Sequence, residues 1–324
     1  MAKKTALIVG VTGQDGSYLA SHLLQLGYQV IGSTRDPFSV SVKNLQYLSI
    51  ADDVEIISLA PNDYGSVLGA ITKYSPSEIY NLSGLTSVSL SFDQPFECLQ
   101  SISTATVNFL ESIRQTQHCI KFFSAGSSEC FGTSSDNVPC TETTPFAPCS
   151  PYAVAKTASY WTVSNYRATY GMFCCTGILG NHESPLRPPR FVTQKIVKAA
   201  YDIKAGLATN LSLGNVNITR DWGWAPDYVK AMHLMLQQKT AQDFVIATGV
   251  SHSLLTFAEL VFAKLDLALN DHLVINSTLY RPSDLSYSSL DPSLIGQELG
   301  WRAQKSFESI VDSMICESPF RNRL

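Results

Sequence analysis

The chain has 324 residues, of which 45% are apolar and 15% charged, and its formal net charge is −4. This composition excludes a mostly disordered chain, and the acidic balance gives no electrostatic reason to expect a nucleic-acid partner. The length predicts two lobes, or one large core with a cap. Eight cysteines without a CxxC pair or zinc-site spacing predict reduced thiols, a cytoplasmic location and no metal site. No run of about 18 apolar residues occurs, so no membrane span is predicted.

Short apolar runs alternate with helical patterns along the first half of the chain. Residues 6–9 predict a strand, the leucines between 19 and 26 predict a helix that ends at Gly27, and residues 28–31 predict a second strand. Further strands are predicted at 54–57, 78–82 and 119–123, and the helices between them at 67–74 and 96–114. A late strand is predicted at 244–247. Such alternation predicts an α/β fold with a Rossmann-type, doubly wound parallel sheet.

The proline-rich stretch 181–190 breaks this alternation. We interpret it as a crossing into a smaller, mostly C-terminal substrate-binding lobe, which is interleaved in sequence with the sheet. The predicted Rossmann domain is therefore 1–180 with 221–250, and the predicted second lobe is 181–220 with 251–324.

Three glycines lie between the first predicted strand and the first predicted helix, in the segment Gly10-Val-Thr-Gly-Gln-Asp-Gly16. Glycine lets the backbone turn tightly and approach a pyrophosphate, whose charge then faces the N-terminus of the helix. Glycines are also common in ordinary turns, but here the sequence predicts both the strand before the motif and the helix after it. The motif predicts a dinucleotide-binding loop formed by Gly10, Thr12, Gly13, Gln14, Asp15 and Gly16.

The end of the second predicted strand should carry the residue that reads the adenosine ribose of the dinucleotide. The chain offers Arg35, which suits the 2′-phosphate of NADP(H), and Asp36, which suits the free 2′-hydroxyl of NAD(H). Both could also be solvated loop charges. We take NADP(H) as the prediction and keep NAD(H) as the alternative.

A tyrosine and a lysine share one helical face in the segment Ser150-Pro-Tyr-Ala-Val-Ala-Lys156, because Tyr152 and Lys156 are four residues apart. Tyrosine, with a pKa of about 10, is a poor base at neutral pH. An ammonium group one turn away is expected to lower that pKa and to hold a ribose hydroxyl. The phenolate could then take a proton from a sugar hydroxyl. A surface helix pair is the alternative explanation of this spacing.

A serine-rich turn with one carboxylate follows the strand predicted at 119–123. Ser127, Ser128 and Glu129 lie in this turn, at the edge of the sheet where ligands bind. A serine hydroxyl there could hydrogen-bond a reacting sugar oxygen, and a carboxylate could move a proton on and off carbon. Loop capping and a solvated charge are the alternatives.

With these motifs in place, the chain resembles the GDP-mannose 4,6-dehydratase family of the extended short-chain dehydrogenase/reductase superfamily. The resemblance covers nearly the whole chain. The segments that carry it are GVTGQDGSY at 10–18, SSE at 127–129, SPYAVAK at 150–156, NYR at 165–167, NHESP at 181–185, FVT at 191–193, LGN at 213–215, RDWG at 220–223 and RP at 281–282.

The resemblance implies an internal redox dehydration of a nucleotide-diphospho-hexose, from GDP-mannose to GDP-4-keto-6-deoxymannose. Hydride leaves C4 for the cofactor and returns to C6. Tyr152 would deprotonate the C4 hydroxyl, Ser127 would hold O4, and Glu129 would remove the C5 proton and help expel the C6 hydroxyl. Lys156 would orient the ribose and tune Tyr152.

The same matching extends the predicted binding sites. It adds Arg35, Asp63, Leu82, Tyr152 and Lys156 to the cofactor-binding residues. It predicts that the nucleotide sugar binds Ser87, Asn181, Arg187, Val192, Lys195, Arg220 and Arg281. Arginine suits a diphosphate because its fork pairs with two phosphate oxygens. The family also leads us to expect a homodimer or homotetramer.

The chain departs from the family pattern at several positions. One arginine, Arg35, stands where the family has a pair that grips NADP and supports tetramer contacts. Ala60 stands where an aspartate usually meets the adenine. Pro188 follows Arg187 where the family has glycine, which suggests a different substrate contact, and Asp284 replaces a glutamate.

Two other functions fit parts of the sequence. A reductase or epimerase of a 4-keto-6-deoxy nucleotide sugar would share the tyrosine, the lysine and a similar SSE stretch. A non-catalytic dinucleotide-binding protein would need only the glycine loop. The NHESP and RDWG segments favour the dehydratase.

Overall fold

The structure is a computed structural model that describes residues 3–37, 41–117, 119–134 and 138–323. Its strands are β1 (Thr5–Val9), β2 (Gln29–Thr34), β3 (Val54–Ser58), β4 (Glu78–Asn81), β5 (Lys121–Ala125), β6 (Cys174–Leu179), β7 (Asn181–Glu183), β8 (Leu211–Leu213), β9 (Thr219–Trp224), β10 (Phe244–Ile246), β11 (Ser251–Ser253) and β12 (Leu273–Ile275). Its α-helices are α1 (Gln14–Gln25), α2 (Lys43–Tyr47), α3 (Tyr64–Tyr74), α4 (Val88–Asp93), α5 (Pro95–Leu99), α6 (Ala105–Thr116), α7 (Pro151–Tyr170), α8 (Val192–Lys204), α9 (Ala225–Leu236), α10 (Leu254–Lys264), α11 (Ser293–Leu299) and α12 (Phe307–Cys316).

Within these described ranges, seven parallel strands form the main sheet, in the order β10-β6-β5-β4-β1-β2-β3. The chain runs from β1 outward to β3 and then returns to build the other half from β4. This order confirms the predicted α/β fold with a doubly wound, Rossmann-type sheet. The point of reversal lies between β1 and β4, where such sheets open a crevice at the carboxyl ends of their strands.

The sheet is buried on both faces, which explains the continuous apolar runs of its strands. Successive side chains of β1 point to opposite faces, so Ala6 and Ile8 pack with α1 and α9, whereas Leu7 and Val9 pack with α3 and α6. All four side chains are at most 1% exposed. The sheet is therefore a rigid frame for the loops at its carboxyl edge.

The helix predicted at 96–114 is broken into three pieces. A π-helical turn, Gln100–Thr104, separates α5 from α6. In this turn the Ser103 hydroxyl donates to the Ala155 carbonyl oxygen of α7 at 3.0 Å, and the Ser101 hydroxyl accepts from the Leu85 N–H at 3.2 Å. Serines that bind neighbouring segments favour such a local widening, and the periodicity of the apolar residues does not show it.

The second lobe has a separate core. Strand β9 lies between β11 and β7 in a three-stranded sheet, and β8 pairs with β12. Trp222 and Trp224 of β9 pack with apolar side chains of α8, α10 and α12. The boundary predicted between residues 220 and 221 falls inside β9, while α9 packs beside α1 on the main sheet.

All eight cysteines lie in the described ranges, and each of them is unpaired. Among the helices of those ranges, none is both long and apolar enough to cross a membrane.

Candidate active site

The glycine loop between β1 and α1 is packed so closely that two of its glycines leave no room for a side chain. Gly10 has a φ of +88°, in the left-handed region that favours glycine. A Cβ atom on Gly16 would lie 2.3 Å from the Gly10 carbonyl oxygen and 2.7 Å from the Val11 Cα. Gly13 is the N-cap of α1, and the start of α1 lines a deep cleft. The N-terminus of α1 is thus open to an anion.

The end of β2 offers a cation and a hydroxyl to the same cleft. The Arg35 guanidinium pairs with the Glu97 carboxylate at 3.4 Å, and 77% of the Arg35 side chain is exposed. Exposed ion pairs are weak, so a phosphate could displace Glu97 at little cost. Ser33 also lines the cleft, and within the described ranges its buried hydroxyl has no hydrogen-bond partner.

Helix α7 holds Tyr152 and Lys156 in the cleft wall. The Ser150 hydroxyl caps the helix by accepting from the Ala153 N–H at 3.1 Å, and Pro151 occupies its first turn. The Lys156 ammonium donates to the Ala125 carbonyl oxygen at 2.6 Å, and burial lowers its pKa to about 8.

The expected lowering of the Tyr152 pKa by Lys156 is not found. Burial raises the Tyr152 pKa, and a hydrogen bond with the Ser127 side chain only partly offsets this rise. The reason is geometric, because the Lys156 Nζ lies 5.8 Å from the centroid of the tyrosine ring and is bound to Ala125. The neighbour that lowers the Tyr152 pKa is therefore Ser127 and not Lys156.

A 3₁₀ turn after β5, Ser128–Phe131, carries the candidate carboxylate. The Ser127 hydroxyl caps this turn by accepting from the Glu129 N–H at 3.3 Å. Only 15% of the Glu129 side chain is exposed, and its Oε1 lies 3.9 Å from the Arg220 Nε. Burial raises the pKa of Glu129, while the charges of Arg220 and Arg281 oppose the rise.

Two arginines of the second lobe form one charge cluster with Glu129. The Asp284 carboxylate accepts from Arg220 at 3.1 Å and from Arg281 at 3.2 Å. Arg220 is nearly fully buried, and this burial lowers its pKa. The two guanidinium groups therefore share one bridging carboxylate, with Glu129 as a second, more distant partner.

Arg187 lies in a different cluster, at the junction of β7 and the glycine loop. Its Nε lies 3.0 Å from the Glu183 carboxylate, and its NH1 donates to the His182 carbonyl oxygen at 2.9 Å. The His182 ring in turn lies 2.9 Å from the Asp15 carboxylate. Burial lowers the His182 pKa, but the charge and hydrogen bond of Asp15 raise it more, so the net shift is upward.

One cleft, with a volume of about 860 Å³, joins these groups. Ser127, Glu129, Tyr152 and Lys156 all line it. So do the remaining predicted ligands Gly10, Thr12, Gly13, Gln14, Asp15, Gly16, Arg35, Leu82, Ser87, Asn181, Arg187, Val192, Lys195, Arg220 and Arg281. The phenol and the carboxylate that the predicted chemistry needs thus face a common space.

Asp63 is the predicted cofactor residue that is absent from this lining among the residues described. Its carboxylate caps α3 by accepting from the Ser66 N–H at 2.6 Å. This contact explains the residue as a helix cap.

A family model described as GDP-mannose 4,6 dehydratase matches residues 7–314 of the chain. The chain belongs to this family. It is 40% identical to GDP-mannose 4,6 dehydratase 1 of Arabidopsis thaliana, over 97% of this chain and 90% of that protein. It is 39% identical to the GDP-mannose 4,6 dehydratase of Dictyostelium discoideum, over 97% of this chain and 96% of that protein.

The fold of this GDP-mannose 4,6-dehydratase family member is also found in more distant enzymes. The UDP-glucose 4-epimerase of Thermus thermophilus, solved in complex with NAD, superposes with a TM-score of 0.87 at 22% identity. The match covers 99% of this chain and 100% of the epimerase. At this identity the likeness shows the fold.

Four lining residues of this family member were not predicted as ligands from the sequence. His182 and Glu183 lie inside the NHESP motif, which was used only as a marker of resemblance. Asp284 stands where the family has a glutamate, and Arg190 ends the proline-rich stretch. All four line the cleft. The sequence signal that could have identified these four residues as ligands was a charged side chain inside or beside a motif.

Proposed function

We propose that the protein catalyses the dehydration of GDP-mannose to GDP-4-keto-6-deoxymannose, as an NADP(H)- or NAD(H)-dependent nucleotide-sugar 4,6-dehydratase. The observation that carries this proposal is that Tyr152 and Glu129 line one cleft beside the glycine loop. Membership of the GDP-mannose 4,6-dehydratase family supports GDP-mannose as the substrate.

A nicotinamide dinucleotide fits the residues at the carboxyl edge of the sheet. Gly16 lets the start of α1 lie directly against the loop backbone, the start of α1 lines the cleft, and Ser33 has a buried hydroxyl without a partner among the described residues. Gly10, Thr12, Gly13, Gln14, Asp15, Gly16, Leu82 and Lys156 would hold it. When bound, it would accept a hydride from C4 and return it to C6 of the sugar.

NADP(H) is the cofactor that we favour, with NAD(H) as the alternative. The reason is that Arg35 stands at the end of β2 with a weak, exposed partner, so its guanidinium can turn to a 2′-phosphate. Titration of the purified protein with both dinucleotides tests this preference. NADPH should bind more tightly than NADH, and the difference should vanish in the Arg35→Ala variant. Equal affinities in the wild-type protein would contradict it.

The proposed acid–base roles follow from the surroundings of each group. Tyr152 would take the proton from the C4 hydroxyl, with the Ser127 hydroxyl beside the same oxygen. Because burial raises the pKa of Tyr152, this proton transfer needs positive charge near the phenol, which Lys156 can supply once its ammonium is drawn towards a ligand. Glu129 would remove the C5 proton and deliver it to the departing C6 hydroxyl, which leaves as water. When hydride returns to C6, C5 must regain a proton, and the proton that Tyr152 took from the C4 hydroxyl closes the balance.

The nucleotide sugar would lie against the second lobe. Arg220 and Arg281 would bind the diphosphate, since a guanidinium pairs with two phosphate oxygens. Ser87, Asn181, Val192 and Lys195 would complete the site. We also propose the interleaved division into a cofactor lobe, 1–180 with 221–250, and a nucleotide-sugar lobe, 181–220 with 251–324, except that the whole of β9 packs in the second lobe.

A homodimer or homotetramer is proposed because α5 and α7 expose an apolar surface. Val154, Ala158 and Trp161 share one exposed face of α7, and Phe96 and Leu99 of the adjoining α5 are 72% and 41% exposed. Such a contiguous apolar face is typical of an interface. Light scattering tests the oligomeric state, and a Trp161→Glu variant should shift it towards the monomer.

A cytoplasmic location is proposed from the unpaired cysteines.

The decisive experiment is to incubate the purified protein with GDP-mannose and without added reduced cofactor. A dehydratase forms the 4-keto-6-deoxy sugar nucleotide with no net change in cofactor, whereas a reductase of keto sugars forms nothing. Tyr152→Phe should lower turnover by about 10²-fold or more, because general acid–base catalysis is lost. Failure of the wild-type protein to convert GDP-mannose would overturn the proposal.

A further inference from the structure

The cations that line the cleft differ in whether a carboxylate already compensates their charge. Four arginines have such a carboxylate within 4 Å, namely Arg35, Arg187, Arg220 and Arg281. Among the described residues, Arg190, Lys156 and Lys195 line the cleft without one. Lys156 is bound to the Ala125 carbonyl oxygen, so Arg190 and Lys195 are the cations most available to an anionic ligand.

Arg187, which the resemblance places among the nucleotide-sugar ligands, is poorly placed to bind a diphosphate. Its Nε forms an ion pair with Glu183 at 3.0 Å but makes no hydrogen bond within the described residues. The Glu183 carboxylate is 1% exposed and accepts from the Thr193 hydroxyl at 2.6 Å. The Arg187 NH1 is bound to a backbone carbonyl. Turning Arg187 to a ligand would leave Glu183 as a buried carboxylate without its cation, which is costly.

Arg190 has the opposite properties. It is exposed, and its NH2 donates to the Thr86 hydroxyl across the cleft at 3.4 Å, a long and weak hydrogen bond. The guanidinium also lies 5.0 Å from the centroid of the Phe191 ring. Pro188 and Pro189 precede it and stiffen the loop. A phosphate could therefore replace Thr86 at little cost.

We propose that Arg190 binds the diphosphate of the nucleotide sugar, and that it replaces Arg187 as a ligand of the nucleotide sugar. The proposal rests on the proposed function for the identity of the sugar nucleotide, but its chemistry requires only a nucleoside diphosphate. Thr86 follows β4 of the main sheet and Arg190 precedes α8 of the second lobe, so this contact would also hold the ligand between the two lobes. Lys195, one turn into α8, would bind the same anion.

Calorimetric titration with guanosine and with GDP separates a diphosphate contact from a general loss of structure. Arg190→Gln should weaken GDP binding by about 10-fold and leave guanosine binding unchanged, because one charge-assisted contact is removed. Arg190→Lys should restore part of the loss. Arg302→Gln removes an exposed arginine outside the cleft and is the matched control. Thermal unfolding of each variant checks that the fold is intact.

The outcomes distinguish this inference from the proposed function. Equal loss of guanosine and GDP affinity, or no loss of either, would overturn the role of Arg190 while GDP-mannose conversion by the wild-type protein could still stand. Loss of NADPH affinity with unchanged GDP affinity would assign Arg190 to the cofactor and also overturn it. If the wild-type protein instead prefers UDP and Arg190→Gln weakens UDP binding, the diphosphate contact holds and the GDP-mannose assignment fails.

Discussion

Replacing Glu129 by glutamine should separate the two halves of the proposed reaction. Glutamine keeps the shape of the side chain but cannot accept a proton. Oxidation at C4 depends on Tyr152, whereas loss of the C5 proton depends on Glu129. We therefore expect the Glu129→Gln enzyme to oxidise the sugar at C4 and stop there, so that about one equivalent of reduced nicotinamide builds up per site.

The size of the effect follows from the setting of the carboxylate. General acid–base catalysis by a positioned side chain contributes about 10²–10⁴-fold, and with 15% of the Glu129 side chain exposed, water has little access to replace it. Burial raises its pKa, so it is a stronger base than an exposed glutamate. Because the ionised form is needed, activity should fall as the pH falls through that raised pKa. The Glu129→Gln enzyme should therefore lose most of its turnover, and its remaining activity should no longer fall at low pH.

Rapid mixing with GDP-mannose and the oxidised cofactor, followed by the absorbance of the reduced nicotinamide, measures both halves. Glu308→Gln, which changes an exposed glutamate outside the cleft, is the control and should behave as wild type. The reasoning is refuted if Glu129→Gln forms the deoxy sugar within about tenfold of the wild-type rate. It is also refuted if Tyr152→Phe accumulates as much reduced nicotinamide as Glu129→Gln.

Three further predictions concern the scaffold. Gly16→Ala should weaken cofactor binding by about 10-fold or more and lower the free energy of unfolding by about 1–3 kcal/mol, because its Cβ meets backbone at 2.3 Å. Gly69→Ala, a helical glycine with open space around it, should raise that free energy by about 0.5–1 kcal/mol, and equal effects would contradict the packing argument. Burial and a neighbouring histidine lower the pKa of His22 from 6.5 to about 4, so its protonation favours unfolding and stability should fall from pH 6.5 towards 4. The melting temperature of His22→Gln should fall less over that range, and an equal fall would exclude this cause. Asp243→Asn should cost about 3 kcal/mol in urea unfolding, because it removes the negative charge and one of the two oxygens that accept from the partly buried Arg167 at 2.8 Å and 2.5 Å, and a loss under about 1 kcal/mol would count against it.

The main sheet could be predicted because its strands are buried on both faces. Runs such as residues 6–9 therefore stand out in the sequence, and six strands of the sheet were anticipated to within two or three residues. The second lobe could not be predicted in this way. Its strands β7, β8, β11 and β12 have three residues each, too few to show alternation, and they pair with strands distant in sequence.

The motifs indicated which residues would share the cleft because each follows a strand of a parallel sheet. They could not show how charges pair once the two lobes meet. Arg187 and Arg220 are both arginines beside a motif, yet one contacts Glu183 and the other Asp284 and Glu129. The Arg187 partner is four residues away, whereas both Arg220 partners are distant in sequence, and no local pattern records which of these contacts forms.

The charge cluster of the second lobe links substrate binding to the strength of the proposed base. The charge of Arg220 lowers the pKa of Glu129, against the larger effect of burial. A diphosphate that binds Arg220 and Arg281 would offset this positive charge and would also repel the ionised Glu129. Both effects raise the pKa of the carboxylate, so it becomes a stronger base when the nucleotide sugar is in place. The buried site thus needs the arginines for binding, and their neutralisation by the ligand favours proton removal from carbon.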